Sequence, residues 1–212
     1  MRITKHEHAA LVLEEGGRRL VVDPGGLTNP LLGLQQVDAV VITHEHADHW
    51  TADQLKRILD GSRDAVVLGP PAVARAVEGF EVRAVSPSEQ VEIGPWRLRF
   101  FGGNHAIIHP TIPAVENLGV LVNDRVYYPG DSFHIPIGIE VDTLAAPAGA
   151  PWLKISEAMD FVGQISPKRA FGTHDGVLSQ AGRGIAFDRL KAVTEARGGE
   201  WFALEAGDSV DI

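Results

Sequence analysis

The segment from His44 to His49, His-Glu-His-Ala-Asp-His, places three imidazoles and an aspartate side by side. It directly follows the apolar run from Val37 to Thr43, which predicts a buried strand that ends where the histidines begin. Neutral imidazole and ionised carboxylate are ligands that zinc, iron and manganese accept, and a divalent cation offsets the crowding of these groups. The alternative is a solvated, histidine-rich turn that binds no metal. We would favour it for two histidines, but not for three histidines and an aspartate. We therefore expect a metal site where the strand meets the loop.

The spacing within the motif indicates room for two ions. Alternate residues of an extended segment point the same way, so His44 and His46 can hold one ion. Asp48 and His49, beyond the bend, would then face a neighbouring ion. Because four residues cannot complete two metal shells, other parts of the chain must supply further ligands.

Histidines and aspartates at the ends of other predicted strands are the candidates for these ligands. His105, Asp131 and His174 each follow a predicted strand after a short link. Strand ends from different parts of a sheet converge on one rim, so residues distant in sequence can meet there. His109 competes with His105 for the same role, and we favour His105 because it lies nearer to the strand end.

Composition restricts the class of protein. The chain has 212 residues, 44% of them hydrophobic and 22% charged, which is typical of one globular domain spanning residues 1–212. No apolar run approaches the roughly 20 residues of a membrane-spanning helix, and the N-terminus does not resemble a signal peptide, so we expect a cytoplasmic location. The absence of cysteine excludes thiolate ligands and disulfides. A formal net charge of -9 disfavours nucleic acid as a partner and favours a small-molecule substrate.

The hydrophobic pattern predicts strands and helices with no linker that would divide domains. A hairpin is expected around Asn123 and Asp124, which tolerate positive φ, and Thr51 with Gln54 matches a helical capping box. The segments 19–25 and 125–131 share a basic residue, an apolar strand and a Pro/Gly turn with an aspartate, an echo that indicates two related halves or chance similarity. The predicted strands are 9–13, 19–22, 37–42, 65–68, 90–93, 96–101, 118–122, 125–128, 141–145, 169–172 and two short C-terminal strands, and the predicted helices begin at 51 and after 70–71 and span 155–163 and 184–197.

The motif and the later candidates together carry a family resemblance. His44-x-His46-x-Asp48-His49, then His105, Gly130-Asp131 and His174, occur in this order over nearly the whole chain. In these residues the chain resembles the metallo-β-lactamase superfamily of metal-dependent hydrolases. The resemblance implies an α+β fold, a four-layer αβ/βα sandwich in which two mixed β-sheets lie face to face and are flanked by helices.

The same resemblance implies a binuclear centre of two divalent ions. Zn²⁺ is the expected metal, and Mn²⁺ or Fe²⁺ suit the same ligands. The implied ligands are His44, His46 and His105 for one ion, Asp48, His49 and His174 for the second, and Asp131 as the bridge between them.

Three segments refine the resemblance within the superfamily. The stretches 4–9, 23–25 and 173–176 look most like the branch that contains ascorbate-6-phosphate lactonase. The stretch 103–110 departs from the Gly-His-Thr type of segment found in true β-lactamases and glyoxalase II-type thioesterases. Cleavage of antibiotics or of glutathione thioesters is therefore disfavoured.

The resemblance and the chemistry of metal-bound water imply a metal-dependent hydrolase. A metal-bridging hydroxide would attack an ester, lactone, amide or phosphoester bond in a small molecule. Asp48, Asp131 and His134 are the candidate catalytic residues, with Asp131 or His134 passing a proton to the leaving group. The alternatives are a phosphodiesterase or nuclease acting on RNA or DNA, which the net charge disfavours, and a metal-binding protein without catalysis. These patterns predict neither the substrate nor the oligomeric state.

Six further residues have two possible roles each. His8, in the first strand, would orient a metal ligand or serve as a buried structural residue. Asp23 would hydrogen-bond a ligand imidazole or cap the Pro-Gly turn that follows it. The remaining four would contact a substrate or fill an ordinary structural role: Asp175 and Arg183 at an anionic substrate, Trp50 and Trp152 as walls of the pocket.

Overall fold

The computed structural model describes residues 1–212 as four helices and fourteen strands. None of the helices combines the length and the hydrophobicity that a membrane span requires. In chain order the elements are β1 (Arg2–Lys5), β2 (Leu11–Glu15), β3 (Arg18–Val22), β4 (Val37–Val41), α1 (Ala52–Gly61), β5 (Val66–Gly69), α2 (Pro71–Ala76), β6 (Val82–Ala84), β7 (Gln90–Ile93), β8 (Trp96–Gly102), β9 (Leu118–Val122), β10 (Val126–Tyr128), β11 (Thr143–Pro147), α3 (Ile155–Ile165), β12 (Arg169–Thr173), α4 (Gln180–Ala196), β13 (Glu200–Trp201) and β14 (Ser209–Asp211).

The strands form two seven-stranded mixed sheets, in the orders β14-β1-β2-β3-β4-β5-β6 and β13-β12-β11-β10-β9-β8-β7. In the first sheet the pairings are antiparallel up to β3 and parallel from β3 to β6. In the second sheet they are antiparallel from β7 to β10 and parallel from β10 to β13. Each sheet therefore changes from antiparallel to parallel pairing at a single strand.

These two switch strands, β3 and β10, are the strands of the two similar segments 19–25 and 125–131. They hold equivalent places in their sheets. Each is followed by an aspartate, Asp23 or Asp131, and both aspartates contact His49. The echo in the sequence therefore corresponds to an equivalence in topology that converges on one histidine.

The two sheets face each other across the largest apolar core, to which Leu13 and Leu20 of the first sheet and Phe100 and Val120 of the second contribute. Helices α1 and α2 pack on the outer face of the first sheet, and α3 and α4 on the outer face of the second. Burial of these apolar faces is the main favourable term that holds the layers together. The predicted αβ/βα sandwich is confirmed.

The helix predicted at Thr51 forms as α1. Thr51 is its N-cap, and the hydroxyl accepts a hydrogen bond from the Gln54 N–H at 3.2 Å. The Gln54 side chain does not return to Thr51 as a capping box requires. It is buried, donates to the carbonyls of Thr28 and Asn29, and accepts from the Leu31 N–H. Helix α1 thus follows the histidine loop directly and also fixes the loop that follows β3.

Two strands were not predicted, β1 and β6. β1 buries a lysine, Lys5, which no hydrophobic pattern anticipates, and β6 is a three-residue strand at the sheet edge. The position predicted for His8 was also wrong. It lies in a turn between β1 and β2, with φ of 59°, and not in a strand.

The turns and caps account for the other differences. The predicted turn at Asn123 and Asp124 has the expected positive φ values, 50° and 51°. Helix α4 begins at Gln180, four residues earlier than predicted, because the Ser179 hydroxyl caps it by accepting from the Gly182 N–H at 3.1 Å. Two glycines among its first five residues, Gly182 and Gly184, conceal this start in the sequence.

Alanine substitutions at two glycines test the packing of α4, because they should change the free energy of unfolding in opposite directions. A Cβ on Gly172 in β12 would lie 2.2 Å from the ring of Phe187, whereas a Cβ on Gly184 in α4 would meet open space. We expect Gly172→Ala to lower the free energy of unfolding by about 1–3 kcal/mol through overpacking. Gly184→Ala should raise it by roughly 0.5–1 kcal/mol, since alanine favours the helix. Urea denaturation measures both, and changes of the same sign would contradict this packing.

Candidate metal centre

The predicted metal ligands meet at one rim of the sandwich, at the ends of four strands. The segment His44–His49 follows β4, His105 follows β8, Asp131 follows β10 and His174 follows β12. Their donor atoms form three overlapping groups in which all atoms of a group lie within 4.8 Å of one another. The structure thus brings together all seven predicted ligands, with His8 as an eighth member. The groups are His44, His46 and His105; His8, Asp48, His49 and His174; and His44, His49 and Asp131.

The first group consists of His44, His46 and His105. The centroids of their rings lie 4.7 to 4.9 Å apart, and His44 Nε2 is 3.0 Å from His46 Nδ1. His44 and His105 are buried, and His46 is half-buried. His109 is exposed and its Nδ1 faces the Thr111 hydroxyl at 2.8 Å. Of the two competing histidines, His105 is the one that lies in the group.

Asp131 contacts His105 of the first group and two histidines of the second group, which consists of His8, Asp48, His49 and His174. Its Oδ1 lies 3.2 Å from His49 Nε2 and 3.1 Å from His174 Nε2. Its Oδ2 lies 3.3 Å from His105 Nε2. On the second side, Asp48 Oδ2 is 3.6 Å from His174 Nε2. One carboxylate therefore stands at the junction of the two groups.

Hydrogen bonds at Nδ1 decide where the histidine lone pairs point. In His49, His105 and His174, Nδ1 faces a carboxylate or carbonyl oxygen, which can only accept, so Nδ1 carries the proton. Where a ring is neutral, its Nε2 then carries a lone pair that can bind a metal ion. His49 Nε2 and His174 Nε2 lie only 3.2 Å apart, a contact that is repulsive between two lone pairs and that either a proton or a metal ion makes favourable. The oxygen partners are Asp23 Oδ2 at 2.7 Å, the Ala106 carbonyl at 2.5 Å and the Gly149 carbonyl at 2.6 Å.

Two buried atoms in the cluster, His105 Nε2 and Asp131 Oδ1, have no hydrogen-bond partner. Neighbouring nitrogens are close to Asp131 Oδ1 but are not oriented to donate to it. An unsatisfied buried polar atom costs about 1–3 kcal/mol, and more when it is charged. Imidazole nitrogen and carboxylate oxygen are donors that zinc, manganese and iron accept. The residues present therefore fit a divalent metal ion.

Asp48 and Asp131 are ionised despite their burial. Burial alone would raise the pKa of both carboxyl groups, but neighbouring histidines outweigh it. A hydrogen bond from His8 is the main cause that lowers the pKa of Asp48 to about 2. His49 is the main cause that holds the pKa of Asp131 well below its ordinary range. Both groups are thus in the form that binds a metal.

His44 and His49 respond to their surroundings in opposite ways. Burial lowers the pKa of His44 well below its usual value, so its ring is neutral. Burial also opposes charge on His49, but Asp131 and Asp23 on either side raise its pKa well above the usual value. The position between the two aspartates therefore attracts a positive charge, whether a proton or a metal ion.

Asp23 holds one histidine of each group. Its fully buried carboxylate accepts from the N–H and the hydroxyl of Thr43, at 2.8 and 2.7 Å, and from His49 Nδ1 at 2.7 Å. Because the Thr43 hydroxyl donates its proton to Asp23, it accepts from His44 Nδ1, 3.0 Å away. Asp23 thus fixes the tautomer of His49 directly and that of His44 through Thr43. Thr43 was not predicted as part of the site, although a polar residue ending an apolar run is a usable signal.

The glycines after Asp23 let its loop pack against the histidine loop. A Cβ on Gly25 would lie 1.6 Å from the Asp48 carbonyl oxygen, so no larger residue fits. The Gly26 N–H donates to the Ala47 carbonyl at 2.8 Å. The sequence Asp-Pro-Gly-Gly therefore stops β3 and also supports the loop that carries four of the predicted ligands.

His8 orients Asp48. The Gly176 N–H donates to His8 Nδ1 at 3.1 Å, so the proton of the neutral ring is on Nε2. His8 Nε2 then donates to Asp48 Oδ2 at 3.1 Å. The His8 carbonyl accepts from the His174 N–H at 2.8 Å. His8 therefore connects two predicted ligands, as groups around metal ligands commonly do.

The two tryptophans occupy different places. Trp152 lines the site, since its indole N–H donates to Asp131 Oδ2 at 2.8 Å and its ring lies 5.9 Å from that of His105. Trp50 packs against the apolar cluster beneath α1, and its indole N–H donates to the Glu45 carbonyl at 3.0 Å. Of the two, only Trp152 forms a wall of the site.

Asp175 and Arg183 are engaged in ion pairs. The buried Lys5 amine lies 3.1 Å from the Asp175 carboxylate, and Arg183 lies 2.6 Å from Glu205 and 3.7 Å from Asp175. These contacts anchor the loop after β12 and pair both charges with other side chains. His134 is half-buried, outside the three groups, and burial lowers its pKa.

Asn117 is a buried residue of the site that was not predicted from the sequence. Its side-chain oxygen accepts from the Asp131 N–H at 3.0 Å, and its amide donates to the Pro129 carbonyl at 2.9 Å. It fixes the backbone that presents Asp131. A single asparagine before a strand carries no pattern that marks it in advance.

Asp23→Asn tests the orienting role of Asp23. An amide has one acceptor oxygen in place of two, so it cannot receive all three hydrogen bonds, and we expect affinity for Zn²⁺ to fall by about 10–100-fold. Competition with a chromophoric chelator measures the affinity, and circular dichroism checks the fold. Asp142→Asn is the control, because Asp142 pairs with Arg169 before the start of β11, away from the site. Equal zinc affinity in Asp23→Asn and the unmodified protein would contradict the role.

Comparison with known proteins agrees with this geometry. A family model described as Beta-lactamase superfamily domain matches residues 2–174. Protein Rv0786c of Mycobacterium tuberculosis is 37% identical over 199 residues, covering 92% of this chain and 93% of that protein. A UPF0173 protein of Pyrococcus furiosus is 32% identical over 192 residues, covering 85% and 86%. The solved structure of Igni18, a metallo hydrolase from Ignicoccus hospitalis, has the same fold, with a TM-score of 0.74 and 18% identity over 99% of this chain and 97% of that one.

A partial likeness extends to a ribonuclease Z of Methanopyrus kandleri, which is 32% identical over 124 residues, 50% of this chain and 42% of that enzyme. The family match, by contrast, spans the chain from β1 to His174 and includes all seven predicted ligands. Together with the sandwich fold and the clustered histidines, it shows that the chain belongs to the metallo-β-lactamase superfamily.

Proposed function

We propose that this protein is a hydrolase that uses two divalent metal ions to cleave an ester, lactone, amide or phosphoester bond in a small molecule. The observation that carries the proposal is the position of Asp131, whose two carboxylate oxygens contact histidines of both groups. A carboxylate shared between two ions is suited to a two-metal hydrolytic centre. The likeness in fold to Igni18, itself described as a metallo hydrolase, supports it. The finer placement near ascorbate-6-phosphate lactonase stays a prediction.

The proposed ligands follow the geometric groups. When bound, the two ions supply Lewis acidity and lower the pKa of a water molecule that becomes the nucleophile. Zn²⁺ suits this nitrogen and oxygen donor set, as do Mn²⁺ and Fe²⁺. His44, His46 and His105 would hold one ion, Asp48, His49 and His174 the other, and Asp131 would contact both.

The chain's own residues divide the remaining work. The side chain of Asp48 is 31% exposed, against 4% for Asp131, so Asp48 is the better placed to exchange a proton with the attacking water and the leaving group. The hydrogen bond from His8 keeps the Asp48 carboxylate directed at the site. Trp152 fixes Asp131 through its indole N–H, and its ring packs edge-on against Phe133 at 5.2 Å between ring centroids. Proton transfer by His134 stays a prediction from the sequence.

The partial likeness to ribonuclease Z favours one alternative, a phosphodiesterase or nuclease. Two cations on the His8 side of the site are already engaged in ion pairs, which speaks against it. Lys5 is buried and paired with Asp175, and Arg183 is paired with Glu205. Phosphate backbones are bound chiefly by unpaired lysine and arginine side chains, and the net charge of -9 adds repulsion.

A substrate panel tests the proposed activity. The protein loaded with Zn²⁺ should hydrolyse at least one class among carboxylic esters, lactones, amides and phosphodiesters, and His46→Ala should reduce that turnover by at least about a hundredfold. Hydrolysis of none by a protein with verified metal would overturn the proposal in favour of metal binding without catalysis. Saturable, salt-sensitive RNA binding would instead favour the nuclease.

A matched pair of histidine variants tests the ligand set separately. His105→Ala removes a buried nitrogen of the first group, so we expect it to lose about one metal ion per chain. His109→Ala should keep the full metal content, because His109 is exposed and bonded to Thr111. Elemental analysis after gel filtration gives the counts, and circular dichroism confirms folding. Equal metal loss in both variants, or in neither, would contradict the assignment.

A further inference from the structure

A cavity of about 300 Å³ adjoins the first histidine group. Two of the proposed ligands, His46 and His105, form its inner wall, and the loop between β8 and β9 forms the rest. We call this cavity the loop pocket. Its apolar side chains come from Ile107, Ile108, Ile112 and Val115 together with neighbouring alanines and prolines.

The backbone holds the loop pocket against the metal centre. The His105 N–H donates to the Val115 carbonyl at 3.0 Å, and Gly103 and Asn117 exchange two backbone bonds at 2.9 and 3.3 Å. The Ala106 N–H donates to the Asp131 carbonyl at 2.8 Å. The loop therefore leaves and returns beside a proposed ligand, which places the pocket next to the reacting centre without any movement.

The loop pocket is mainly apolar, and its polar side chains are the three histidines His46, His105 and His109. No lysine, arginine, aspartate or glutamate lines it. Ile107 and Ile112 are 73% and 48% exposed, large apolar surfaces that gain free energy when a ligand covers them. A cavity on the His8 side differs, since it is lined by Lys5, Glu7, Asp175 and Arg183. Of the two, only the loop pocket offers a site for an uncharged hydrocarbon group.

We propose that the loop pocket binds an apolar acyl group, so that the substrate is an uncharged carboxylic ester, lactone or amide and not a phosphoester. At about 30 Å³ for a water-sized group, the pocket has room for about ten non-hydrogen atoms. In the reaction, water oxygen bonds to the acyl carbon as its bond to the leaving oxygen or nitrogen breaks. One water proton goes to the leaving group and the product is a carboxylic acid. The inference rests on the proposed hydrolase activity and narrows its substrate.

A series of p-nitrophenyl esters tests the inference. From acetate to butyrate to hexanoate, kcat/KM should rise by up to about fourfold for each buried methylene. The monosuccinate ester, similar in length to the butyrate but charged, should be hydrolysed at least about tenfold less well than the butyrate. Bis(p-nitrophenyl) phosphate should be the poorest of the five.

Variants assign the preference to the loop pocket. Ile112→Asp should reduce the ratio of hexanoate to acetate kcat/KM to near one, and Ile112→Leu should keep it high. Ile185→Asp, an equally polar change at a 63% exposed position on α4, should not alter the ratio. A ratio near one in the unmodified protein, or one that Ile112→Asp leaves high, overturns the inference while the hydrolase proposal stands. Turnover of the phosphodiester alone overturns the inference and supports the nuclease, and turnover of no compound in this series or in the substrate panel overturns both.

Discussion

The structure depends on the burial of imidazole lone pairs and carboxylates in one small volume at the rim of the sandwich. His49 Nε2 and His174 Nε2 lie 3.2 Å apart with both Nδ1 atoms already donating elsewhere, and Asp131 Oδ1 has no donor. Folding takes Asp131 Oδ1 out of water without a hydrogen-bond partner, which costs about 1–3 kcal/mol, and more because the group is charged. A bound divalent cation reverses the sign of these contacts. Metal affinity is therefore also a contribution to the stability of the fold.

The two sheets contribute to this site in parallel ways. The switch strands β3 and β10 each deliver an aspartate, and the two carboxylates flank His49 at 2.7 and 3.2 Å. Their duties differ: Asp23 is fully buried and fixes tautomers, whereas Asp131 presents an unpartnered oxygen to the cluster. The first sheet thus supplies four of the seven predicted ligands and the aspartate that orients two of them, and the second sheet supplies the other three.

The sequence predicted the site where chemistry is concentrated in a motif or at the end of an apolar strand. His44–His49, His105, Asp131 and His174 carry that signal, and the capped start of α1 does as well. It did not predict Thr43 or Asn117, because their roles come from contacts with residues distant in the chain. The backbone position of His8 and the pairing of Arg183 with Glu205 follow from tertiary packing for the same reason. Local sequence patterns therefore identify candidate metal ligands. The residues that orient those ligands can be identified only from the folded structure.

The loop between β8 and β9 shows how function is added to this frame. Its ends are paired to each other and to Asp131, so its apolar middle stays beside the centre. Side chains on such loops determine what a metal centre acts on, and the centre determines the reaction. Under the two proposals above, the metal centre accounts for the class of reaction and the loop for the choice of substrate.

Anomalous X-ray diffraction from crystals of the zinc-loaded protein tests the central claim most directly. We predict two peaks: one among His44, His46 and His105, and the other among Asp48, His49 and His174, with the Asp131 carboxylate between them. A single peak at full zinc occupancy would contradict the binuclear centre, and peaks away from these residues would contradict the site itself.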